Sequence, residues 1–432
     1  MEVTYQEVRQ NGTLFLNVVG MLGEGEDPLL LATHLDTVAP GDPKLWTQTG
    51  GNPWRLTLRN GVWYGLGVAD TKLDLVCKLM ALERWKGEPF KRPVMVLGTF
   101  GEESGLRGAV RFCQGKLPKP AMALVGEPTE LAIVNRHKGL AVLELVLKSR
   151  GIYRPSRPKW CYDLRFVGRA AHSSTPACGV NAIEASLQFF DRCRAQAKTV
   201  KVLAWEGGNG HNVIPAQCRL RLSLEGPKPM WIQREMKRWG DCRLYRLPAG
   251  WHTTLPWQNL LQCLEDVHAV LDPMQRKNDS AFVPPQLTWN VTQLKQTAHG
   301  WILTMDIRTL PGQSLQLALQ RLEERWQERM GPPGSKWEWR LERDNPALAL
   351  ESSHPWVKVA KAALKGARLP VRLTAKAGCS EAGLYTQVGI PSLVFGPGRS
   401  VGNIHRPNES VSIRQIQQAA RFYAEVIRRT CF

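Results

Sequence analysis

In "LLLATHLDTVAPG" (29–41) a His and an Asp stand two residues apart at the end of an apolar run. Side chains two apart on a strand share a face, so His34 and Asp36 point the same way from the strand's end. Four more stretches carry reactive groups in similar contexts. Asp70 lies in "YGLGVADTK", Glu102 and Glu103 in "GTFGEESG", Glu127 in "VGEPTE" and His405 in "GPGRSVGNIHRPNE". Each alone also fits an ordinary strand end, a solvated helix start or a plain turn. As a set, the carboxylates follow apolar, strand-like runs, at the edge where an α/β sheet binds ligands. Five acids gathered there repel one another and cannot all stay ionised if buried. Two divalent cations resolve that conflict. His and carboxylate donors suit zinc, and a pair of ions carrying a water fits a bridged two-metal site. Glu102 and Glu103 point in different directions from the chain, so one can ligate while the other faces the water.

The elements that must position these groups alternate between strand and helix over residues 1–137. "TLFLNVVGML", "LLLATHLDTV", "RPVMVLGTFGEES" and "MALVGEP" read as strands, and "KLDLVCKLMALERWK" predicts a helix starting near Thr71. "WRLTLRNGVWYGLG" has two alternating runs around Asn60-Gly61, a hairpin signal. Residues 138–308 change character, with long strand-like runs around the helical "GVNAIEASLQFFDRCRAQ". Helix and strand alternate again over 309–432, ending in the helical "IRQIQQAARFYAEVIRRT". The fold class expected is α/β. A catalytic α/β domain with a mixed central sheet flanked by helices (1–137 and 309–432) is interrupted by an inserted, enlarged α+β domain (138–308).

A chain of 432 residues allows two or three domains by the prior of ~150 residues each. The N-terminus lacks the apolar core of a signal peptide, and no uncharged apolar run approaches the ~18 residues of a spanning helix. No membrane partner is expected. The ten cysteines form no CxxC pair, so no thiolate zinc site or redox motif is expected, and a reduced protein in the cytoplasm fits. Fifty-seven Lys and Arg against 38 Asp and Glu give a net charge of +19. These cations are spread along the chain rather than gathered in an arm, so no specific nucleic-acid partner is expected, only non-specific attraction to polyanions.

The stretches occur in the order and contexts of a known family. "HLDTV", "WYGLGVADTK", "GEPT" followed by "HKG", "GRAAHSSTPACGVNAIE", "MDIRTLPG" and "GPG…H.PNE" resemble the signatures of the two-zinc amidohydrolases and metallopeptidases. That family includes acetylornithine deacetylase, succinyl-diaminopimelate desuccinylase, aminoacylase and glutamate carboxypeptidase. The resemblance covers about residues 14–225 and 301–430 and is nearest to acetylornithine deacetylase. It implies His34 and Glu127 as ligands of one metal, Asp70 as the bridge, and Glu103 and His405 as ligands of the second. Asp36 would orient His34, and Glu102 would be the general base. The metals implied are two divalent ions, zinc first, with cobalt or manganese accepting the same donors. The substrate implied is a small N-acyl amino acid or short peptide. The inserted domain then corresponds to the family's lid and homodimerisation domain. There His172 resembles the lid histidine that stabilises the oxyanion, and Asn212 and Arg308 resemble carboxylate-contacting positions. A structural ion pair explains Arg308 equally well. The chain departs from the pattern in places. Only 33 residues precede His34, Thr71-Lys72-Leu73 stands where relatives read Met-Lys-Gly, and the segments at 150–160 and 226–300 enlarge the lid.

Overall fold

The computed structural model describes residues 1–148, 155–156, 160–196, 200–224, 235–236, 242–247, 252–253, 257–297, 299–334 and 336–432. Most of the lid enlargement read at 150–160, and most of residues 226–256, lie outside the described residues. The chain divides into two compact units, Met1–Gly139 with Asn345–Phe432, and Leu140–Asp344. The return to the first unit therefore comes at Asn345, not after Arg308 as read from the sequence. The helix Leu315–Met330 buries Leu315, Ala318, Leu319, Leu322 and Trp326 in the core of the inserted unit. The strand Trp337–Asn345 then pairs beside Leu140–Lys148.

The first unit is built on a nine-stranded mixed sheet. Leu29–His34 runs parallel to both its neighbours, Val94–Thr99 and Met122–Gly126. Ser392–Phe395 runs parallel to Met122–Gly126 on its other side. Leu29–His34, Val94–Thr99 and Ser392–Phe395 are buried along their whole length, which is why they read as unbroken apolar runs. Leu29 and Leu31 pack with the helices Lys72–Glu83, Pro355–Gly366 and Ile413–Cys431. Leu30 and Ala32 face the helices Arg107–Cys113 and Glu381–Gln387. Each buried leucine contributes roughly 1.5–3 kcal/mol. A slip of one residue would exchange the two faces, so burial on both sides fixes where His34 leaves the sheet. An N-terminal hairpin, Glu2–Gln10 with Thr13–Leu22, extends the sheet through Val94–Thr99.

The expected hairpin forms between Thr57–Arg59 and Val62–Tyr64. Asn60 and Gly61 both take positive φ, 50° and 74°, as a two-residue turn of this kind requires. Ser410–Ser412 adds a third strand to it. This small sheet brings the residue before it, Glu409, to the loop that carries Asp70.

The inserted unit holds an eight-stranded sheet, with antiparallel pairs such as Cys161–Val167 with Gln217–Leu224 and Thr288–Thr297 with Gly300–Arg308. The helices Ala182–Gln196, Gln258–Leu271 and Leu315–Met330 belong to this unit, and Leu164, Phe189, Phe190, Trp205, Leu264 and Trp301 lie in its core. Among the described residues no helix is long and apolar enough to cross a membrane.

Candidate metal centre

Parallel strands deliver the reactive groups to one sheet edge. His34 is the last residue of its strand, and Glu127 directly follows Gly126 at the end of another. Val94–Thr99 runs into the turn that bears Glu102 and Glu103. Asp70 lies just before the helix Lys72–Glu83, and His405 lies in the loop after Ser392–Phe395. Asp70 stands between the two histidines. Its Oδ1 is 3.1 Å from His34 Nε2 and its Oδ2 is 3.2 Å from His405 Nε2. His405 Nε2 is also 2.9 Å from Glu103 Oε1. Donor atoms of His34, Asp70 and Glu127 all lie within 4.8 Å of one another, and so do those of Asp70, Glu103 and His405. Two three-ligand clusters thus share one carboxylate.

Asp36 does more than face His34. Its Oδ1 accepts from the Glu102 backbone N–H at 3.0 Å and its Oδ2 from that of Glu103 at 3.1 Å. The same Oδ1 is 3.6 Å from His34 Nδ1. Asp36 therefore fastens the turn holding both glutamates to the strand end holding the histidine.

Three further acidic or basic groups in this region carry no mark in the sequence reading. Glu409 accepts from the backbone N–H groups of Gly67, Ala69 and Asp70 at 3.1, 2.8 and 3.0 Å, which fixes the loop presenting Asp70. Burial pushes its carboxyl up to about 7 against those three donors. Lys376, at the end of the strand Leu373–Lys376, donates to Glu127 Oε2 at 2.8 Å. Glu381 accepts from Thr99 Oγ1 at 2.6 Å and from Tyr385 OH at 3.2 Å, and burial pushes it up to about 7. Glu409 closes the stretch "GPGRSVGNIHRPNE" that carries His405, so its signal was present. Lys376 and Glu381, in "LTAKAGCSEAG", have no spacing that marks them.

The electrostatics show a cluster short of positive charge. Burial raises the Glu102 carboxyl well above its usual range, and the charges of Glu127, Glu103 and Asp70 raise it further, against the pull of His34. Burial also raises Glu127, opposed by Lys376. Burial works against the charge of Asp70 too, but its hydrogen bonds with His34 and His405 win and hold it low. Burial by itself would lower both histidines. Hydrogen bonds to Asp36 and Asp70 raise His34 instead, and those to Asp70 and Glu103 raise His405 to about 10. Protons on the imidazoles do part of the work of cations here. Two histidines and three carboxylates in two clusters sharing Asp70 fit two divalent ions, which would take the place of those protons.

The structure places His172, Asn212 and Arg308 together in the inserted unit, around Ser173. His172 is exposed and forms a bridge with Val213, and its Nδ1 is 2.7 Å from Ser174 Oγ. Ser173 N–H donates to the Asn212 carbonyl at 3.0 Å. Arg308 is buried and makes a two-pronged pair with Asp306, at 2.9 and 3.0 Å.

A model of the peptidase family M20/M25/M40 matches residues 30–429. The chain belongs to this family. Similar solved structures agree on the fold. Aminoacylhistidine dipeptidase from Vibrio alginolyticus is 15% identical, with 98% of this chain and 89% of that one covered and a TM-score of 0.65. The M20 family metallo-carboxypeptidase Sso-CP2 from Sulfolobus solfataricus is 18% identical, with coverages of 98% and 90% and a TM-score of 0.58. The di-peptidase Dug1p from Saccharomyces cerevisiae is 12% identical, with coverages of 99% and 87% and a TM-score of 0.56. As an M20/M25/M40 peptidase the protein is a metal-dependent hydrolase of amide or peptide bonds, and the residues of the two clusters could hold divalent cations.

Proposed function

We propose that the protein cleaves the amide bond of N-acyl amino acids, in an acetylornithine deacetylase-like reaction. The observation that carries this reading is the pair of clusters sharing Asp70, with the partly exposed Glu102 beside them. When bound, the two divalent cations supply polarisation of the scissile carbonyl and a water acidic enough to attack at neutral pH. Glu102 takes the proton of that water as its oxygen bonds to the carbonyl carbon, then gives the proton to the amine nitrogen as the C–N bond breaks. The products are a carboxylic acid and a free amino acid. Asp36 holds the Glu102 and Glu103 backbone in place for that proton transfer. In the inserted unit, His172 is the proposed oxyanion donor, and Asn212 and Arg308 the proposed contacts for a substrate carboxylate. The same reading takes the protein as a cytoplasmic homodimer joined through that unit.

Desuccinylation, or dipeptidase or carboxypeptidase activity, would use the same centre with a different pocket, and membership of a peptidase family supports these readings as well. Glu102→Gln is expected to keep two metals per chain while turnover of N-acetyl-L-ornithine falls about a hundredfold to ten-thousandfold. Undiminished turnover in that variant would remove Glu102 as the base. A panel adding N-succinyl amino acids and dipeptides ranks the readings by kcat/KM.

A further inference from the structure

Lys78 and Lys376 of the first unit each pair with a buried carboxylate, and they are not alike. Lys78 is fully buried, and its three N–H donors are all used. They reach Asp74 Oδ2 at 2.6 Å, the Ala32 carbonyl at 2.6 Å and Thr33 Oγ1 at 2.7 Å. Lys376 keeps 19% of its side chain exposed and makes one hydrogen bond, to Glu127 Oε2. Its other two donors have no acceptor among the described residues. The side chain is not on a loose segment. Lys376 closes a strand paired in parallel with Ile133–His137, and its carbonyl accepts from the Lys138 N–H at 3.2 Å.

Glu127 is at the same time a donor of the His34–Asp70–Glu127 cluster. A cation held there draws on the carboxylate that Lys376 now pairs with. The ammonium is then left beside a metal site with donors unspent and a path to solvent. Such a position favours an anion over any neutral group. The substrates proposed above carry one close to the bond that breaks, the α-carboxylate of the amino acid.

We infer that Lys376 anchors the α-carboxylate of the substrate, which makes the centre selective for N-acyl amino acids with a free carboxylate over the corresponding amides. The inference rests on the proposed function and names the substrate group that this centre recognises. An anionic acyl chain, such as succinyl, is the other source of a carboxylate, and the test separates the two.

Binding and turnover are measured on metal-loaded protein with N-acetyl-L-ornithine, its carboxamide, and N-succinyl-L-ornithine carboxamide. Metal is counted by mass spectrometry in every variant. Lys376→Met is expected to keep two metals and to raise KM for N-acetyl-L-ornithine about tenfold to a hundredfold, the worth of one charge-assisted hydrogen bond. The preference for carboxylate over carboxamide falls by the same factor, what is left being the share of the proposed Asn212 and Arg308 contacts, and Lys376→Arg recovers part of the loss. Calorimetric titration in the Glu102→Gln background reads the same preference as a ratio of Kd values without any turnover. If no amide is cleaved by the wild type, the proposed function fails while the titration still decides the anchor. An unchanged carboxylate preference in Lys376→Met overturns the inference, as does an effect confined to the succinyl carboxamide. Loss of a metal in Lys376→Met also overturns it, since the lysine would then only support Glu127.

Discussion

Two ionic clusters lie within a few residues of each other in the first unit, and they are completed in opposite ways. The deep cluster is Asp74 with Lys78, one acid and one base on the helix Lys72–Glu83. Thr33 Oγ1 donates to Asp74 Oδ2 at 2.9 Å, and the Tyr423 hydroxyl donates to Asp74 Oδ1. The chain supplies everything this pair needs. The edge cluster gathers Asp36, Asp70, Glu102, Glu103 and Glu127, with Lys376 paired to Glu127. What it lacks is positive charge, which two divalent cations would supply. A buried pair closed on itself is scaffold, whereas a buried cluster left open is a site. The two are also joined. A Cβ on Gly126 would sit 1.9 Å from Asp74 Oδ2, so the deep pair lies directly against the strand end that presents Glu127.

The sharpest way to break this contrast is to remove the carboxylate that both metal clusters use. Asp70→Asn is expected to leave little bound metal and to drop turnover to background. Glu103→Gln touches only the second cluster and should leave one ion per chain. Counting metal after desalting distinguishes them. Two ions retained by Asp70→Asn would show that the clusters do not depend on a shared ligand.

The edge cluster was largely legible in the sequence, and the deep one was not. His34, Glu127 and the Glu102–Glu103 turn each come at or just after the end of an apolar strand. Such runs are what a sheet buried on both faces demands, and the residues at their C-terminal ends lie at its edge. Asp74 and Lys78 sit four apart on a helix, the spacing of countless solvated pairs, and only the tertiary packing of Tyr423, Thr33 and Gly126 buries them. Lys376 was hidden for a similar reason. It meets Glu127 across 249 positions of chain, a distance that spacing cannot read. The end of the inserted unit was misplaced because the amphipathic pattern of Leu315–Met330 shows that the helix covers a sheet, but not which sheet.

The deep pair yields the next effect in size. Lys78→Met leaves Asp74 charged and without its ammonium, at an expected loss of about 3–5 kcal/mol in urea unfolding. Adding Asp74→Asn to Lys78→Met should recover part of that loss, because the uncompensated charge goes with it. Both variants are expected to hold two metals while folded, since neither residue ligates. A smaller loss in the single variant than in the double would mean that the pair is not the closed unit its hydrogen bonds describe.

The smallest effect is a pH dependence that only the open cluster has. In the metal-free protein His405 is raised from 6.5 to about 10, and His34 is raised in the same direction. A raised pKa means that the fold holds the proton more tightly than the unfolded chain does. The stabilisation is then complete below pH 6.5 and is lost as pH rises through about 10. Bound metal takes the imidazoles as neutral ligands, so this dependence vanishes on loading. The Tm of metal-stripped protein should fall by a few degrees between pH 6.5 and 10, relative to that of the loaded protein over the same window. Glu381 and Glu409, both raised to about 7, and the raised Glu102 and Glu127 lose stabilisation in the same direction, so the part of the fall above pH 7 that centres near 10 is the one to assign to His405. Metal affinity should rise over the same window as protons cease to compete. Parallel Tm curves for the two forms would show that protons do not occupy the imidazoles when metal is absent, and the edge cluster would then have to be balanced in some other way.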